Sequence, residues 1–252
     1  MSAAKGKDEM AAPRGDVPRS DVPRSVAVIM DGNGRWAKRA GFERIRGHER
    51  GIDAVRTTVT ECARLGVEAL VLYAFSEENW QRPQREIDLL FKLLKRFLTD
   101  ELGTLMNNQV RLLHSGRRER LAPDVTKLLD ATIAATAGNR GMRLSLAISY
   151  GGRQELIDAM TAIAQKVRTG ALEPEAIDEA MVRAHLYQPD LPDPDLLIRT
   201  AGEMRISNFL LWQVSYSEIH VSDVCWPDFG KDQLHAAFRD YGRRERKFGK
   251  VP

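Results

Sequence analysis

A chain of 252 residues with 43% hydrophobic side chains can bury a substantial core, as one α/β domain or two smaller ones. Its 38 basic and 35 acidic residues leave a formal charge of +3, too mild to argue for a nucleic-acid partner, and no apolar run approaches the roughly 20 residues that span a bilayer. Cys62 and Cys225 form no C-x-x-C pair and the five histidines show no zinc-ligand spacing, so a reduced, cytoplasmic protein with buried thiols is expected.

Residues 1–24 read as a disordered tail. They contain a tandem repeat, Asp16-Val17-Pro18-Arg19-Ser20 and Asp21-Val22-Pro23-Arg24-Ser25, whose prolines and charges favour neither a helix nor a core, and they lack the apolar stretch of a signal peptide. Residues 25–252 form the folded domain. The apolar run Val26–Met30 predicts a buried strand. Asp31 follows at once, then Gly32-Asn33-Gly34-Arg35-Trp36-Ala37. A glycine-rich turn between a strand and a helix presents backbone N–H groups and a helix N-terminus to an anion. Arg35, Lys38, Arg39, Arg44, Arg46, His48 and Arg50 crowd into the next sixteen residues. Cations beside an N–H cradle suggest a diphosphate, and Asp31, with no basic residue immediately beside it, suggests a Mg²⁺ travelling with it. G-x-G-x-x-A after a strand also fits a dinucleotide turn. Against that, Asp31 would repel the pyrophosphate, and Trp36 stands where such turns keep small residues.

A helix is expected over His48–Leu65, a strand over Ala69–Phe75, then a polar loop from Ser76 to Pro83. Ile87, Leu90, Phe91, Leu94, Phe97, Leu98, Leu102 and Leu105 give a long helix over Glu86–Met106 a broad apolar face, suited to core packing or to lining a hydrocarbon chain. A strand over Gln109–His114, a helix over Arg118–Ala137 and a strand over Leu144–Ile148 follow. Tyr150-Gly151-Gly152-Arg153 makes a second glycine-rich turn, and Gln154–Arg168 is helical. Pro174 opens a helix reaching about His185. Asp195–Arg199 is a short strand, Thr200–Phe209 a polar loop, Phe209–Val214 a helix, Glu218–Val221 a sixth strand and Lys231–Lys247 a basic closing helix.

This alternation predicts a mostly parallel six-stranded sheet with helices on both faces. The polar clusters Asp31–Arg35, Ser76–Arg82, Tyr150–Arg153 and Arg199–Ser207 all fall at carboxyl ends of strands, where such sheets bind ligands. Arg35, Arg44, Arg82, Arg199 and Arg205 can grip phosphate oxygens bidentately, with Ser76 and Ser207 as hydroxyl donors. This is equipment for more than one phosphate group. There is no P-loop lysine and no nucleophile–base pair. Chemistry in which a diphosphate leaves, and the protein positions two substrates around it, fits best.

The string IMDGNGRWA followed by R-x-R-G-H resembles the signature of the cis-prenyltransferases of the undecaprenyl diphosphate synthase type. LYAFSEENWQRP, SYGGR, RTAGEMRISNFLLWQ and YSEIH resemble that family's further blocks, in order, from about Val26 to Gly249. The resemblance implies consecutive condensation of isopentenyl diphosphate onto farnesyl diphosphate in Z configuration, giving an undecaprenyl-type lipid carrier precursor for cell-wall glycan synthesis. It implies a single catalytic domain with a hydrophobic tunnel, a Mg²⁺ cofactor and a cytoplasmic homodimer that touches the inner face of the plasma membrane to release product. Carried over residue by residue, Asp31, His48 and Asn79 are catalytic. Gly32, Asn33, Gly34, Arg35, Trp36, Arg44, His48, Ser76, Trp80, Arg82, Arg199, Arg205 and Ser207 bind substrate. Asp31 and Glu218 bind metal, Glu218 across a dimer interface. Ala74 stands where short-product relatives carry a bulkier residue. The chain departs from the family pattern at Ser25, Ser149 and Ala201, and at Lys247-Phe248-Gly249, where the family has R-x-G. A non-catalytic polyprenyl-diphosphate-binding subunit of the same fold is the alternative; such subunits lose the Asp31-type acid and the glycine loop, and this chain keeps both.

Overall fold

Val26, Ala27, Val28 and Ile29 are all buried, as expected of a strand covered on both faces of a parallel sheet. In the computed structural model, which describes residues 17–246, they lie in β1 (Ser25–Ile29). With β2 (Ala69–Ser76), β3 (Arg111–Ser115), β4 (Arg143–Tyr150), β5 (Leu196–Arg199) and β6 (Glu218–Val221) it forms one sheet in the order β3-β4-β2-β1-β5-β6. Every adjacent pair is parallel.

Successive strand side chains point to opposite faces. Val26, Val28, Leu70, Leu72, Leu144, Leu146 and Ile198 meet the apolar sides of four helices: α2 (Arg44–Leu65), α3 (Gln84–Asp100), α5 (Pro123–Thr136) and α8 (Lys231–Gly242). Ala27, Ile29, Ala69, Val71, Ala147 and Leu197 build a smaller core on the other face, against Tyr187, Leu191, Phe209 and Leu210. Three short or peripheral helices, α1 (Asn33–Arg39), α4 (Leu102–Asn107) and α7 (Glu179–Arg183), and the longer α6 (Gly152–Arg168) complete the domain.

Four expectations need correction. Residues 17–24 are part of the packed domain: Val17 is buried in the larger core, and the Arg19 guanidinium donates to the Leu65 carbonyl at 2.7 Å, capping the C-terminus of α2. The remainder of the expected tail, residues 1–16, lies outside the described residues, as does Lys247–Gly249. The expected Glu86–Met106 helix is two helices, broken at Glu101, whose buried carboxylate accepts from Arg56 Nε at 2.7 Å and ties the break to α2. The helix expected from Pro174 is a 3-10 turn (Pro174–Ala176) followed by α7, which Asp178 caps by accepting from the Met181 N–H at 2.7 Å. Phe209–Val214 forms turns rather than a helix, because Ser207, Asn208 and Leu210 all adopt positive φ.

One buried cluster ties α2 to α8. Glu61, with a side chain only 1% exposed, accepts from Arg64 at 2.7 Å and bonds His235 Nε2 at 2.7 Å, with Lys231 at 3.3 Å. Arg64 foremost, then His235 and Lys231, hold the Glu61 carboxyl down at about 2, from an ordinary value near 4.5. A depressed folded value contributes stability above pH 4.5 that is lost as the pH falls towards 2. Glu61→Gln is therefore expected to lower the melting temperature at neutral pH and to flatten its fall across this acid range. Parallel melting curves of wild type and variant check this.

Candidate active site

The strand order reverses around β1, which has β2 on one side and β5 on the other. Ligands in parallel sheets bind at such a point, beyond the carboxyl ends of the strands. There the chain turns through Met30, Asp31 and Gly32 into α1. The turn is pinned by Thr200: its hydroxyl accepts from the Asp31 N–H at 2.8 Å and donates to the Asp31 carbonyl at 2.7 Å. Gly32 has φ +94°, and a Cβ there would lie 2.7 Å from Ala201 Cβ and 2.9 Å from Cys225 Sγ. Both constraints demand glycine. Gly47, on α2, is required for a different reason: a Cβ would collide with the Asn33 carbonyl, so α2 could not approach the loop.

Three cavities meet here. The first, about 630 Å³, is lined by the loop Asp31–Arg35 together with Lys38, Phe42, Arg44, His48 and Arg82. The second, about 840 Å³, is lined by Asp31, Ser76, Asn79, Arg82, Arg199 and Ser207, with Tyr73, Arg153 and Asn208 also on its wall. The third, about 120 Å³, is apolar. It runs between α2 and α3 past Ile52, Val55, Leu90, Leu94 and Phe97, with Ala74 on its wall. Met30 lines all three, Asp31 and Arg82 line both polar cavities, and His48 lines the first polar cavity and the apolar one.

Each arginine expected to hold phosphate is paired with a carboxylate. Arg44 Nε and Arg82 Nη1 share Glu86 Oε1, at 3.1 and 3.0 Å. Glu203 bonds Arg35 Nη2 at 2.6 Å and also pairs with Arg205. Arg199, 4% exposed, donates from Nη2 to Asp31 Oδ2 at 2.8 Å and from Nη1 to Ser207 Oγ at 2.7 Å. A basic partner of Asp31 thus comes from 168 residues away, where the local sequence showed none beside it. Burial, followed by the charges of Arg82 and Arg44, pushes the His48 imidazole down to about 4, so it is neutral at neutral pH. Its buried Nε2 has no hydrogen-bond partner among the described residues.

Some expected residues stand apart. The Trp36 indole N–H donates to Asp228 Oδ1 at 2.7 Å, and the Trp80 indole N–H donates to Ser149 Oγ at 3.0 Å. Trp80 packs on Phe75 and Phe91, with the Arg120 guanidinium 4.5 Å above its ring. Neither tryptophan lines the three cavities, and Arg205, 63% exposed at its side chain, does not line them either. Glu218 begins β6, in register with Leu196 and hence with Val26. That is the end of the sheet away from Asp31, and within the chain Glu218 pairs with Arg244 at 2.8 Å. Met30, Tyr73, Asn208 and Glu86 were missed. Met30, Tyr73 and Asn208 stand inside the family-like blocks, and Glu86 left the i, i+4 spacing from Arg82.

The donor set at Asp31 suits Mg²⁺. Its carboxylate is partly exposed on both polar cavities, with Oδ1 taking the Gly32 N–H at 2.6 Å. No group of three metal-binding side chains occurs among the described residues, and Mg²⁺ is commonly held by one or two carboxylates with the rest supplied by substrate phosphates and water. Two basic clefts joined at a shared aspartate, with an apolar cavity leading away, can hold two phosphorylated substrates and one hydrocarbon tail.

A family model described as "Putative undecaprenyl diphosphate synthase" matches residues 29–249. Isoprenyl transferases are similar: that of Geobacter sulfurreducens is 48% identical over 226 residues, covering 90% of this chain and 92% of the relative. That of Porphyromonas gingivalis is 49% identical, covering 90% and 89%. Among solved structures, lavandulyl diphosphate synthase from Lavandula x intermedia, in complex with dimethylallyl diphosphate, superposes with a TM-score of 0.89 at 35% identity, covering 91% of this chain and 99% of that one. A probable undecaprenyl diphosphate synthase from Campylobacter jejuni gives 0.74 at 35% identity, covering 90% and 99%.

Proposed function

The chain belongs to the undecaprenyl diphosphate synthase family of isoprenyl transferases, and from that premise we propose that it extends farnesyl diphosphate with successive isopentenyl diphosphate units in Z configuration to a long polyprenyl diphosphate. The observation that carries this is the meeting of two basic cavities and one apolar cavity at Met30. The allylic diphosphate lies on the loop Gly32–Arg35 with Arg44 and Arg82, its tail in the apolar cavity past Ala74. Isopentenyl diphosphate lies beside Arg199 and Ser207. The allylic C–O bond breaks and diphosphate leaves with the electron pair. The double bond of isopentenyl diphosphate attacks the allylic carbon, and a proton is lost. The arginines stabilise charge on the leaving group. Asp31 would hold Mg²⁺, which supplies charge neutralisation of the diphosphate when bound.

A homodimer in which Glu218 reaches a neighbouring subunit's metal is supported by exposed Tyr216, in the turn before the edge strand, and exposed Ile219 on it. A cytoplasmic location with transient contact to the inner membrane face suits a soluble substrate and a lipid product; among the described residues no helix is long and apolar enough to cross a membrane. The non-catalytic subunit remains the alternative. Against it stand the intact loop and Asp31, which lines both basic cavities. Farnesyl and isopentenyl diphosphate are each expected to raise the melting temperature, and NAD to leave it unchanged. A shift with NAD alone contradicts the proposal.

Chain length gives a sharper test. Ala74 is exposed at the end of β2 and on the wall of the apolar cavity, and each CH₂ of a growing chain gains about 0.8 kcal/mol by leaving water. Ala74→Leu is expected to shorten the product while leaving the first condensation largely intact. Because Ala74 is not a core position, the ~1–3 kcal/mol penalty of overpacking should be absent from its melting temperature. Chromatography of the extracted lipids decides, and an unchanged product length from a folded, active variant removes Ala74 from the tunnel.

A further inference from the structure

Glu86 sits in the first turn of α3 and bonds two guanidinium groups through one oxygen, Arg44 at 3.1 Å and Arg82 at 3.0 Å. Both arginines line the cavity built on the glycine loop, where Asp31 is the acid on the wall. Arg82 is the more enclosed of the two. Burial, with Arg44 adding to it, lowers its affinity for the proton, while Glu86 acts the other way. Two neighbouring cations in a half-enclosed cleft require a counter-charge, and Glu86, which does not itself line the cavity, provides it through Arg44 Nε and Arg82 Nη1. A diphosphate that draws Arg44 and Arg82 into the cavity must take N–H groups that Glu86 now holds.

This matters at a particular point in the cycle, granted the function proposed above. Each condensation leaves a free diphosphate in the glycine-loop cleft, and the elongated chain cannot re-enter that cleft until it has gone. With Arg44 and Arg82 free to grip it fully, the by-product would be retained. We propose that Glu86 is a built-in competitor that takes back Arg44 and Arg82 after the C–O bond has broken, weakening the hold on diphosphate and speeding its release. Glu86 takes no proton and forms no bond to substrate, which makes it a positioning residue acting through the two arginines.

Calorimetric titration with inorganic diphosphate tests this, using wild type, Glu86→Gln and Asp88→Asn. Asp88 lies two residues further along the same helix and is exposed; it accepts from Gln84 at 2.8 Å, and its replacement changes the net charge equally. Glu86→Gln is expected to bind diphosphate about tenfold more tightly, a difference of about 1.4 kcal/mol, with a parallel fall in the product-inhibition constant and a lower kcat. Asp88→Asn should change affinity less than about twofold, as for an exposed charge. Glu86→Asp, one methylene shorter, serves as the second variant should the glutamine protein not fold, and its affinity should rise by a smaller factor. Weaker binding by the Glu86 variants would mean that Glu86 organises the arginines for diphosphate and would overturn the proposal. Equal tightening in the Glu86 and Asp88 variants would reduce it to general charge and overturn it as well. Absence of saturable diphosphate binding to the wild type would instead strike at the proposed function itself.

Discussion

Asp31→Ala is expected to lower turnover by about two to three orders of magnitude, the scale of losing one preorganised charge-stabilising group. Two separate jobs converge on this carboxylate. It faces both basic cavities, where it is the candidate metal ligand, and its Oδ2 anchors Arg199, a guanidinium 4% exposed. Removing it leaves that charge buried without its carboxylate and, on the proposed function, would deprive a Mg²⁺–diphosphate of its protein ligand. Asp31→Asn separates charge from shape. It keeps the size of the side chain and an oxygen for the Gly32 N–H, now accepted at 2.6 Å, but carries no charge. If charge is what matters, it fails as badly as alanine. Near-wild-type turnover in purified Asp31→Asn would contradict the role assigned to this residue.

Arg199→Ala is expected to raise KM for isopentenyl diphosphate by about ten- to a hundredfold, in line with the ~1.5–3 kcal/mol of hydrogen bonds to a charged group, with a smaller effect on KM for farnesyl diphosphate. Arg199 lines the larger polar cavity and is fixed there by Asp31 and Ser207. Arg205→Ala should act in the same direction but less, because its guanidinium is mostly in water and held by Glu203. Arg44→Ala should act chiefly on the allylic substrate, since Arg44 lines only the glycine-loop cavity of the two polar ones. Steady-state kinetics with each substrate varied in turn check all three. If the Arg199 and Arg44 variants both impair one substrate alone, the two-cleft layout fails.

β1, β2, β4 and β5 were legible because each buried run is apolar nearly throughout, and the polar clusters were legible because they follow those runs directly. Long-range pairing was not. Nothing local announces that Arg199 meets Asp31 across 168 residues, or that Arg19 caps α2 through the Leu65 carbonyl. Composition misjudged residues 17–24 for that reason: proline and charge disfavour a helix, yet Val17 and Val22 pack on the core, Arg19 caps α2 and Arg24 pairs with Glu68. Trp36 and Trp80, assigned to substrate by motif, show what a motif leaves open. A motif fixes where a residue stands along the chain, whereas Asp228 and Ser149 fix which way these indoles turn. The break at Glu101 was hidden because leucines at helical spacing continue across it. A buried acid within an apolar face is the clue that something across the seam, here Arg56, has taken hold of it.

Incubation of the purified chain with farnesyl diphosphate, labelled isopentenyl diphosphate and Mg²⁺, followed by extraction and sizing of the lipid, tests the central claim most directly. The expected result is a ladder of polyprenyl products culminating in a long chain many isopentenyl units beyond the primer. A failure to incorporate label, or a product that stops after a single condensation, would contradict it.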